Sequence, residues 1–317
     1  MRALVTGAAG FSGSHLCAQV LDQGNTVIAA VRPNGSRSRL QPVVEHFQVA
    51  ECDLRDRSAV SRLFEQTRPQ SVFHLAGLTT GSPEDLYRVN VLGSVNVLSA
   101  AAALNPQPRV LLVGSSAQYG SVPEAELPIT EATRQCPVTH YGASKLMLET
   151  MAWRYVHLNK LHVVMVRPFN LTGPGESGKF VCSEFARQIV EIERKHRSPT
   201  IRVGNLVSRR DFTDVRDAVR AYISALAVGE PGDTFNVCSG RTVSIQDVLE
   251  SLIRISGIDV RVEIDRERMQ AADVPAQVGS YQRLKERSGW EPAIPFEQTL
   301  RDLLDDWRRR PWEEGRS

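Results

Sequence analysis

The 317-residue chain is short of several things, and each shortage narrows what it can be. Its five cysteines (Cys17, Cys52, Cys136, Cys182, Cys238) are odd in number and scattered, with no CxxC pair, so neither a disulfide framework nor a zinc site is indicated. They fit buried thiols of a reducing compartment. No apolar run approaches the roughly 18 residues that cross a bilayer, and the N-terminal run breaks at glycines too early for a cleavable signal. A cytoplasmic location without a membrane partner is expected. Net charge is scarce as well: 38 Lys and Arg against 36 Asp and Glu give +2, which offers nothing to a nucleic acid or an acidic surface. What remains, 42% hydrophobic and 23% charged, is a globular composition long enough for a large core and two lobes.

The informative stretch is the first. Ala3-Leu4-Val5 reads as a buried strand, and Gly7, Gly10 and Gly13 follow where such a strand turns into a helix beginning near Phe11. Gly7 permits a tight turn, Gly10 a close backbone approach to a pyrophosphate, and Gly13 close packing of helix on strand. The spacing is GxxGxxG, which also suits an ordinary glycine-rich turn.

Strand and helix signals then alternate. A helix from about Ser12 to Gln23 leads to a strand over Thr26–Val31, and further strands are expected over 47–50, 71–76, 110–114 and 162–167. Helices are expected over 58–67, from Glu84 to Leu104, and from Tyr141 to about Leu158. That rhythm specifies a parallel sheet covered on both faces, an α/β Rossmann-type doubly wound fold. From Pro168 the texture becomes rich in Gly and Pro, so residues 1–167 are expected to form the dinucleotide-binding domain and 168–317 a smaller C-terminal substrate lobe. A helix over 214–227 and a strand over 234–237 return to the first domain on this reading, at about 211–240. At the end of the Thr26–Val31 strand, where an acid would hold a ribose 2'-hydroxyl, stand Ala30, Val31 and Arg32, with Arg37 and Arg39 close behind. A guanidinium in that place suits a 2'-phosphate, hence NADP(H) with NAD(H) possible; a solvated basic loop is the plainer alternative.

Tyr141 and Lys145 lie four residues apart at the start of a helix, on one face. An ammonium beside a phenol favours the phenolate and would bring its pKa of about 10 down toward neutrality. Ser115 follows an apolar strand, where its hydroxyl can meet a substrate oxygen beside Tyr141 or simply cap the next turn.

These residues resemble the extended short-chain dehydrogenase/reductase family over nearly the whole chain. The matching pieces are the three glycines, Cys52-Asp53-Leu54, His74-Leu75-Ala76, Asn90 in Val-Asn-Val, Ser-Ser-x-x-Tyr-Gly at 115–120 and Tyr-x-x-x-Lys at 141–145. The second half is most similar to the GDP-4-keto-6-deoxy-D-mannose reductases, through 169–175, 180–191, 203–206, 210–217 and 236–240. The resemblance implies Ser115, Tyr141 and Lys145 as catalytic residues. It implies a dinucleotide lined by Gly7, Gly10, Phe11, Ser12, Gly13, Arg32, Asp53, Leu54, Leu75, Ala76, Gly77, Asn90, Tyr141, Lys145 and Pro168. A nucleotide-diphosphate sugar would be held by Ser115, Ser116, Asn170, Phe180, Val181 and Arg210. Arg210 suits a diphosphate clamp, the alternative being an ion pair with Asp211 or Asp214. No metal is implied, and a homodimer is a family expectation. The chain departs from the pattern at Gln270 and Ala271, where an Arg-Pro pair is usual before Asp273, with Arg266 or Arg268 as possible substitutes. It also departs at His140, which replaces a Pro, and in a short loop after His74.

Fold alone separates no reactions within such a family. Related dehydratases carry a Glu two residues after the position of Ser115; here Ala117 stands there, followed by Gln118. The expectation is therefore NADPH-dependent reduction of a nucleotide-linked 4-keto-6-deoxy sugar. A 4-epimerase with tightly bound NAD is second, and a dehydratase or a non-catalytic NADP sensor ranks lower.

Overall fold

The computed structural model describes residues 1–40, 46–265, 267 and 276–311. Gln270, Ala271, Arg266 and Arg268 therefore lie outside the described residues. The first half runs β1 (Arg2–Thr6), α1 (Phe11–Asp22), β2 (Thr26–Val31), β3 (Gln48–Glu51), α2 (Arg57–Thr67), β4 (Ser71–His74), α3 (Pro83–Tyr87), α4 (Ser94–Ala103), β5 (Arg109–Val113), α5 (His140–Asn159) and β6 (Val163–Pro168). The second half runs β7 (Asn170–Thr172), α6 (Val181–Glu193), β8 (Thr200–Val203), β9 (Arg209–Arg210), β10 (Phe212–Asp214), α7 (Val215–Val228), β11 (Thr234–Val237), β12 (Val243–Ser244), α8 (Ile245–Ser256), β13 (Arg261–Ile264), α9 (Gln282–Ser288) and α10 (Phe296–Arg309).

Seven strands form one parallel sheet in the order β11-β6-β5-β4-β1-β2-β3. Both faces are buried, which is why the strands read as continuous apolar runs. Alternate residues go to opposite cores: Ala3, Val5, Phe73, Leu111 and Val164 pack under α1 and α7, while Leu4, Val72, Val110, Leu112 and Val163 pack under α2, α4 and α5. Successive strands are added in opposite directions on either side of the β1–β4 boundary, so the crevice above that pair is the expected ligand position in such a sheet.

A third core, away from the sheet, gathers α6, α8 and α10 around Phe185, Ile189, Val248, Leu252, Leu300 and Leu303. The chain reaches it by leaving the sheet after β6, returns through α7 to place β11 beside β6, then leaves again. The Gly- and Pro-rich stretch after Pro168 contains β7, which pairs in parallel with β10.

The single helix expected from Glu84 to Leu104 is not uniform. A π-helical turn, Arg88–Gly93, separates α3 from α4, and buried Asn90 sits within it. Its amide oxygen accepts the Leu78 N–H (2.7 Å) while its NH2 donates to the Leu78 carbonyl (2.9 Å) and to Ser144 Oγ (2.9 Å). The widened turn accompanies a side chain tied to a loop and to another helix at once, a setting in which π-bulges recur.

Candidate active site

The glycine turn opens directly onto the crevice. Gly7 has φ 70°, and a Cβ there would lie 2.8 Å from the Ala76 nitrogen; one on Gly13 would lie 2.1 Å from the Gly7 carbonyl oxygen. Only hydrogen fits at either place. Gly10 caps α1 with no side-chain acceptor, and the first turn carries no acid. The amides of Phe11, Ser12 and Gly13, with the positive helix end behind them, thus point an anion-binding surface across the turn. Leu75 and Ala76 are fastened to the same turn: the Leu75 N–H donates to the Thr6 carbonyl (3.2 Å) and the Ala76 N–H to Thr6 Oγ1 (3.3 Å). His74 holds Thr6 Oγ1 and Ser94 Oγ at 2.7 Å each, and burial lowers its pKa to about 3, so it stays neutral.

The far ends of the cradle divide the basic loop. Arg32 is exposed at the end of β2, whereas Arg37 pairs with Glu51 and Arg39 Nε donates to the Gly175 carbonyl at 2.9 Å. Among the described residues, Arg32 alone of the three arginines makes no hydrogen bond or ion pair through its guanidinium, acting only as a longer-range attraction on Asp53. Asp53 forms a fork with Arg55, which holds its carboxyl below the usual range, and the Leu54 carbonyl is held by Asn96 at 2.9 Å.

Thr139 caps α5 by accepting the Gly142 N–H (3.0 Å), so the helix begins one residue earlier than expected, at His140. Its inward face carries Tyr141 and Lys145. Lys145 is buried; its Nζ donates to the Val113 carbonyl at 2.8 Å and lies 6.0 Å from the Tyr141 ring centroid. Burial lowers its pKa to about 8. Gly77 passes close by: a Cβ there would stand 3.3 Å from Lys145 Nζ and 3.0 Å from Asn90 Oδ1.

Tyr141 departs from expectation in one respect. Burial raises its pKa, and the opposing pull comes from a hydrogen bond with Ser115 rather than from the Lys145 ammonium. Ser115 takes the capping role, accepting the Ala117 N–H (3.2 Å) over the 3-10 turn Ser116–Gln118, and it also hydrogen-bonds Tyr141. Ser116 is buried in that turn.

Beyond β6, Asn170 Nδ2 donates to the Asp211 carbonyl (3.1 Å), joining β7 to the strand segment that carries Arg210. Arg210 NH1 donates to the Arg209 carbonyl at 2.9 Å. The two acids weighed as its partners are occupied elsewhere: Asp214 pairs with Arg216, and Asp211 accepts from Ser239, Gly240 and Gly279. Phe180, half exposed, precedes α6 without a side-chain acceptor, so no side chain caps the Val181 end, and Glu184 stands in the first turn. Pro168 ends β6 beside Val237.

Sequence reasoning missed three site features. Gln118 lies beneath Ser115, with Glu149 and Arg167 beneath it in turn. Asp211 ties three loops together behind Arg210. His15 on α1 bonds the Pro174 carbonyl at 2.8 Å, joining the glycine cradle to the second lobe. None has a local sequence signature.

A parallel sheet with a glycine cradle at its switch point, and a Ser, a Tyr and a Lys converging beside it, defines an NAD(P)-dependent oxidoreductase of the extended short-chain dehydrogenase/reductase type. Among the described residues no group of His, Cys, Asp or Glu could hold a metal, and no helix is long and apolar enough to cross a membrane. The chain belongs to the family described as GDP-mannose 4,6 dehydratase, whose model matches residues 4–303. It is 34% identical over 318 residues to a GDP-6-deoxy-D-mannose reductase of Pseudomonas aeruginosa, covering 99% of each chain. Among solved structures it resembles RMD from Pseudomonas aeruginosa complexed with NADPH, at TM-score 0.84 and 32% identity over 97% of this chain and 98% of that one. It also resembles a Thermus thermophilus UDP-glucose 4-epimerase in complex with NAD, at TM-score 0.86 and 28% identity over 98% and 99%.

Proposed function

We propose that this enzyme reduces the 4-keto group of a nucleotide-diphosphate 4-keto-6-deoxy sugar, GDP-4-keto-6-deoxy-D-mannose foremost, using NADPH. The observation that carries the reading is Arg32, exposed at the end of β2 where an NAD-preferring fold places an acid. A guanidinium there matches a 2'-phosphate, and a cofactor consumed at each turnover fits a reductase. The reductase relative aligned over 99% of both chains supports the substrate class.

The residues fit the cofactor: the glycine turn and the amides of α1 would hold the pyrophosphate, and Lys145 and Tyr141 would flank the nicotinamide riboside. When bound, NADPH supplies the hydride. Tyr141 gives its proton to the oxygen that gains charge at the carbonyl carbon, and burial keeps that phenol protonated for the purpose. Ser115, which already accepts the Ala117 N–H, turns its own proton toward that oxygen. The phenolate left behind regains its proton from solvent, and Lys145, whose pKa burial lowers only to about 8, stays charged near neutral pH on the same helix face. Arg210 and the Val181 end of α6 take the diphosphate, and Asn170 orients the Arg210 segment. Ala117 and Gln118 offer no acid or base to remove water from the sugar, which disfavours a dehydratase.

A cytoplasmic homodimer completes the proposal. Leu92, Met147 and Leu158 are exposed apolar side chains on the π turn and α5, suited to a partner copy. Light scattering then gives twice the 35.1 kDa chain mass.

The test is to mix the purified enzyme with NADPH and GDP-4-keto-6-deoxy-D-mannose and follow nicotinamide absorbance. Stoichiometric loss with the 4-keto sugar supports reduction. Interconversion of a UDP-sugar without added cofactor, with NAD carried through purification, would point instead to the epimerase reading that the Thermus likeness represents.

A further inference from the structure

Beneath the Ser–Tyr pair lies a buried polar chain that the reaction does not itself use. The Gln118 amide oxygen accepts the Ser115 N–H at 2.8 Å, and its NH2 donates to Glu149 Oε2 (2.8 Å) and Gln135 Oε1 (2.8 Å). Glu149 is fixed by Arg167 of β6, through Nε to Oε2 at 3.0 Å and NH2 to Oε1, and both side chains are buried. Arg167 NH1 donates to Tyr119 Oη at 2.7 Å, and Tyr119 donates to Asn236 of β11 at 2.7 Å.

Glu149 is on α5, four residues beyond Lys145 and eight beyond Tyr141, so all three share one helix face. Gln118 therefore links the backbone of Ser115 to the very helix that carries Tyr141 and Lys145. Gly114 makes room for it: a Cβ at that position would lie 2.3 Å from Gln118 Oε1. Gln118 itself is fully buried, and its amide has partners at both ends.

We infer that Gln118 is a positioning residue: the strut Ser115–Gln118–Glu149–Arg167 sets the spacing and orientation of the Ser115 hydroxyl against Tyr141. This rests on the assignment of Ser115 and Tyr141 to the reductase chemistry above. The strut acts in two ways. It pins the Ser115 backbone in the extended conformation that lets Oγ accept the Ala117 N–H, which leaves the hydroxyl proton only the Tyr141 and substrate side. It also moves with α5, so that strand end and helix cannot drift apart independently. Leaving a member of such a buried network unsatisfied costs the desolvation of that group, so the geometry is strongly held.

The test is a double-mutant cycle of Gln118→Leu and Ser115→Ala, read as kcat and KM on the nucleotide sugar that the wild type turns over. Gln118→Leu is expected to lower kcat about tenfold or more, with both KM values and NADPH affinity within about twofold, because a misplacement of about 1 Å costs turnover rather than binding. In the Ser115→Ala background the same substitution changes kcat by less than about twofold, since the group it positions is gone. A Gln118→Leu enzyme with wild-type kcat, a loss that multiplies with that of Ser115→Ala, or a rise in KM alone overturns the inference. If Gln118→Leu does not fold, Gly114→Ala, which displaces the amide while keeping every member of the chain, replaces it with the same outcomes. A crystal structure of the variant adds an arm independent of substrate: Ser115 Oγ is expected out of hydrogen-bond reach of Tyr141, and an unmoved Ser115 refutes the strut. A wild type inert toward every nucleotide sugar sinks the proposed function, whereas the crystal structure still decides the strut.

Discussion

Lys145 and Tyr141 share a helix face, yet the ammonium is turned onto the Val113 carbonyl at 2.8 Å and stands 6.0 Å from the phenol ring centroid. The lysine is anchored to the end of β5, the same strand that delivers Ser115, so helix and strand meet at a charge as well as at a hydroxyl. Two consequences follow for experiment, one for each partner.

Removing the phenol tests the proton donor. Tyr141→Phe keeps the ring and its packing but has no proton to give, so kcat is expected to fall by about 10²–10⁴-fold. NADPH affinity, measured by fluorescence titration, stays within about twofold of the wild type, because the phenol contributes little to ground-state binding. Retention of most of the turnover would remove Tyr141 from its role.

Removing the ammonium tests stability. Burial brings the Lys145 pKa from 10.5 to about 8, so the unfolded chain holds a proton that the folded one holds less well. The folded state is therefore penalised fully below pH 8, and the penalty fades as pH rises toward 10.5. Its size is on the order of 3 kcal/mol. Lys145→Met is expected to abolish turnover while raising the urea midpoint at pH 7, with the gain shrinking between pH 8 and 10.5. A lower midpoint at pH 7 would mean that the bond to Val113 outweighs the desolvation.

Cofactor choice is expected to pivot on Arg32. Arg32→Glu removes a fork for a 2'-phosphate and supplies an acceptor for a ribose hydroxyl, shifting the NADPH-to-NADH ratio of kcat/KM by about 10²-fold toward NADH. Arg37→Ala and Arg39→Ala change that ratio much less, since their guanidinium groups are engaged by Glu51 and by the Gly175 carbonyl. Equal effects from all three would mean a diffuse basic field in place of one contact.

The glycine cradle offers a steric test. At Gly13→Ala the new methyl would lie 2.1 Å from the Gly7 carbonyl oxygen, so α1 must move off β1. NADPH affinity is expected to drop by more than about tenfold, as a shift near 1 Å spoils several amide contacts together. The equivalent change at Gly24, where a Cβ meets nothing within 4 Å, leaves that affinity intact. Tight NADPH binding by Gly13→Ala would show that the turn yields more readily than its crowding suggests.

Features set by local pattern were legible in the sequence. The strand over Thr26–Val31 and the one over Thr234–Val237 stand where their β-branched and aromatic runs place them, and α5 carries Tyr141 and Lys145 on one face as the four-residue spacing requires. The π turn was not legible, because what accompanies it is Asn90 reaching Leu78 and Ser144, 12 and 54 residues away. The same reason hides Gln118, whose partner Glu149 is 31 residues on. Motif reading found the groups gathered at the crevice; it could not find those that hold them in place, since a buried amide leaves no periodic mark. The tuning of Tyr141 was misjudged for a related cause: spacing gave proximity to Lys145, but the lysine's actual partner is a carbonyl on another strand.

The return of α7 and β11 to the central sheet has a practical consequence for anyone wishing to redirect this catalyst. The core around Phe185, Val248 and Leu303 is assembled from two stretches of chain that flank a piece of the other lobe. Specificity therefore cannot be transplanted from a homologous donor as one continuous cassette. A chimera must exchange both stretches together and keep the intervening helix and strand native, or the recipient loses the edge of its own sheet.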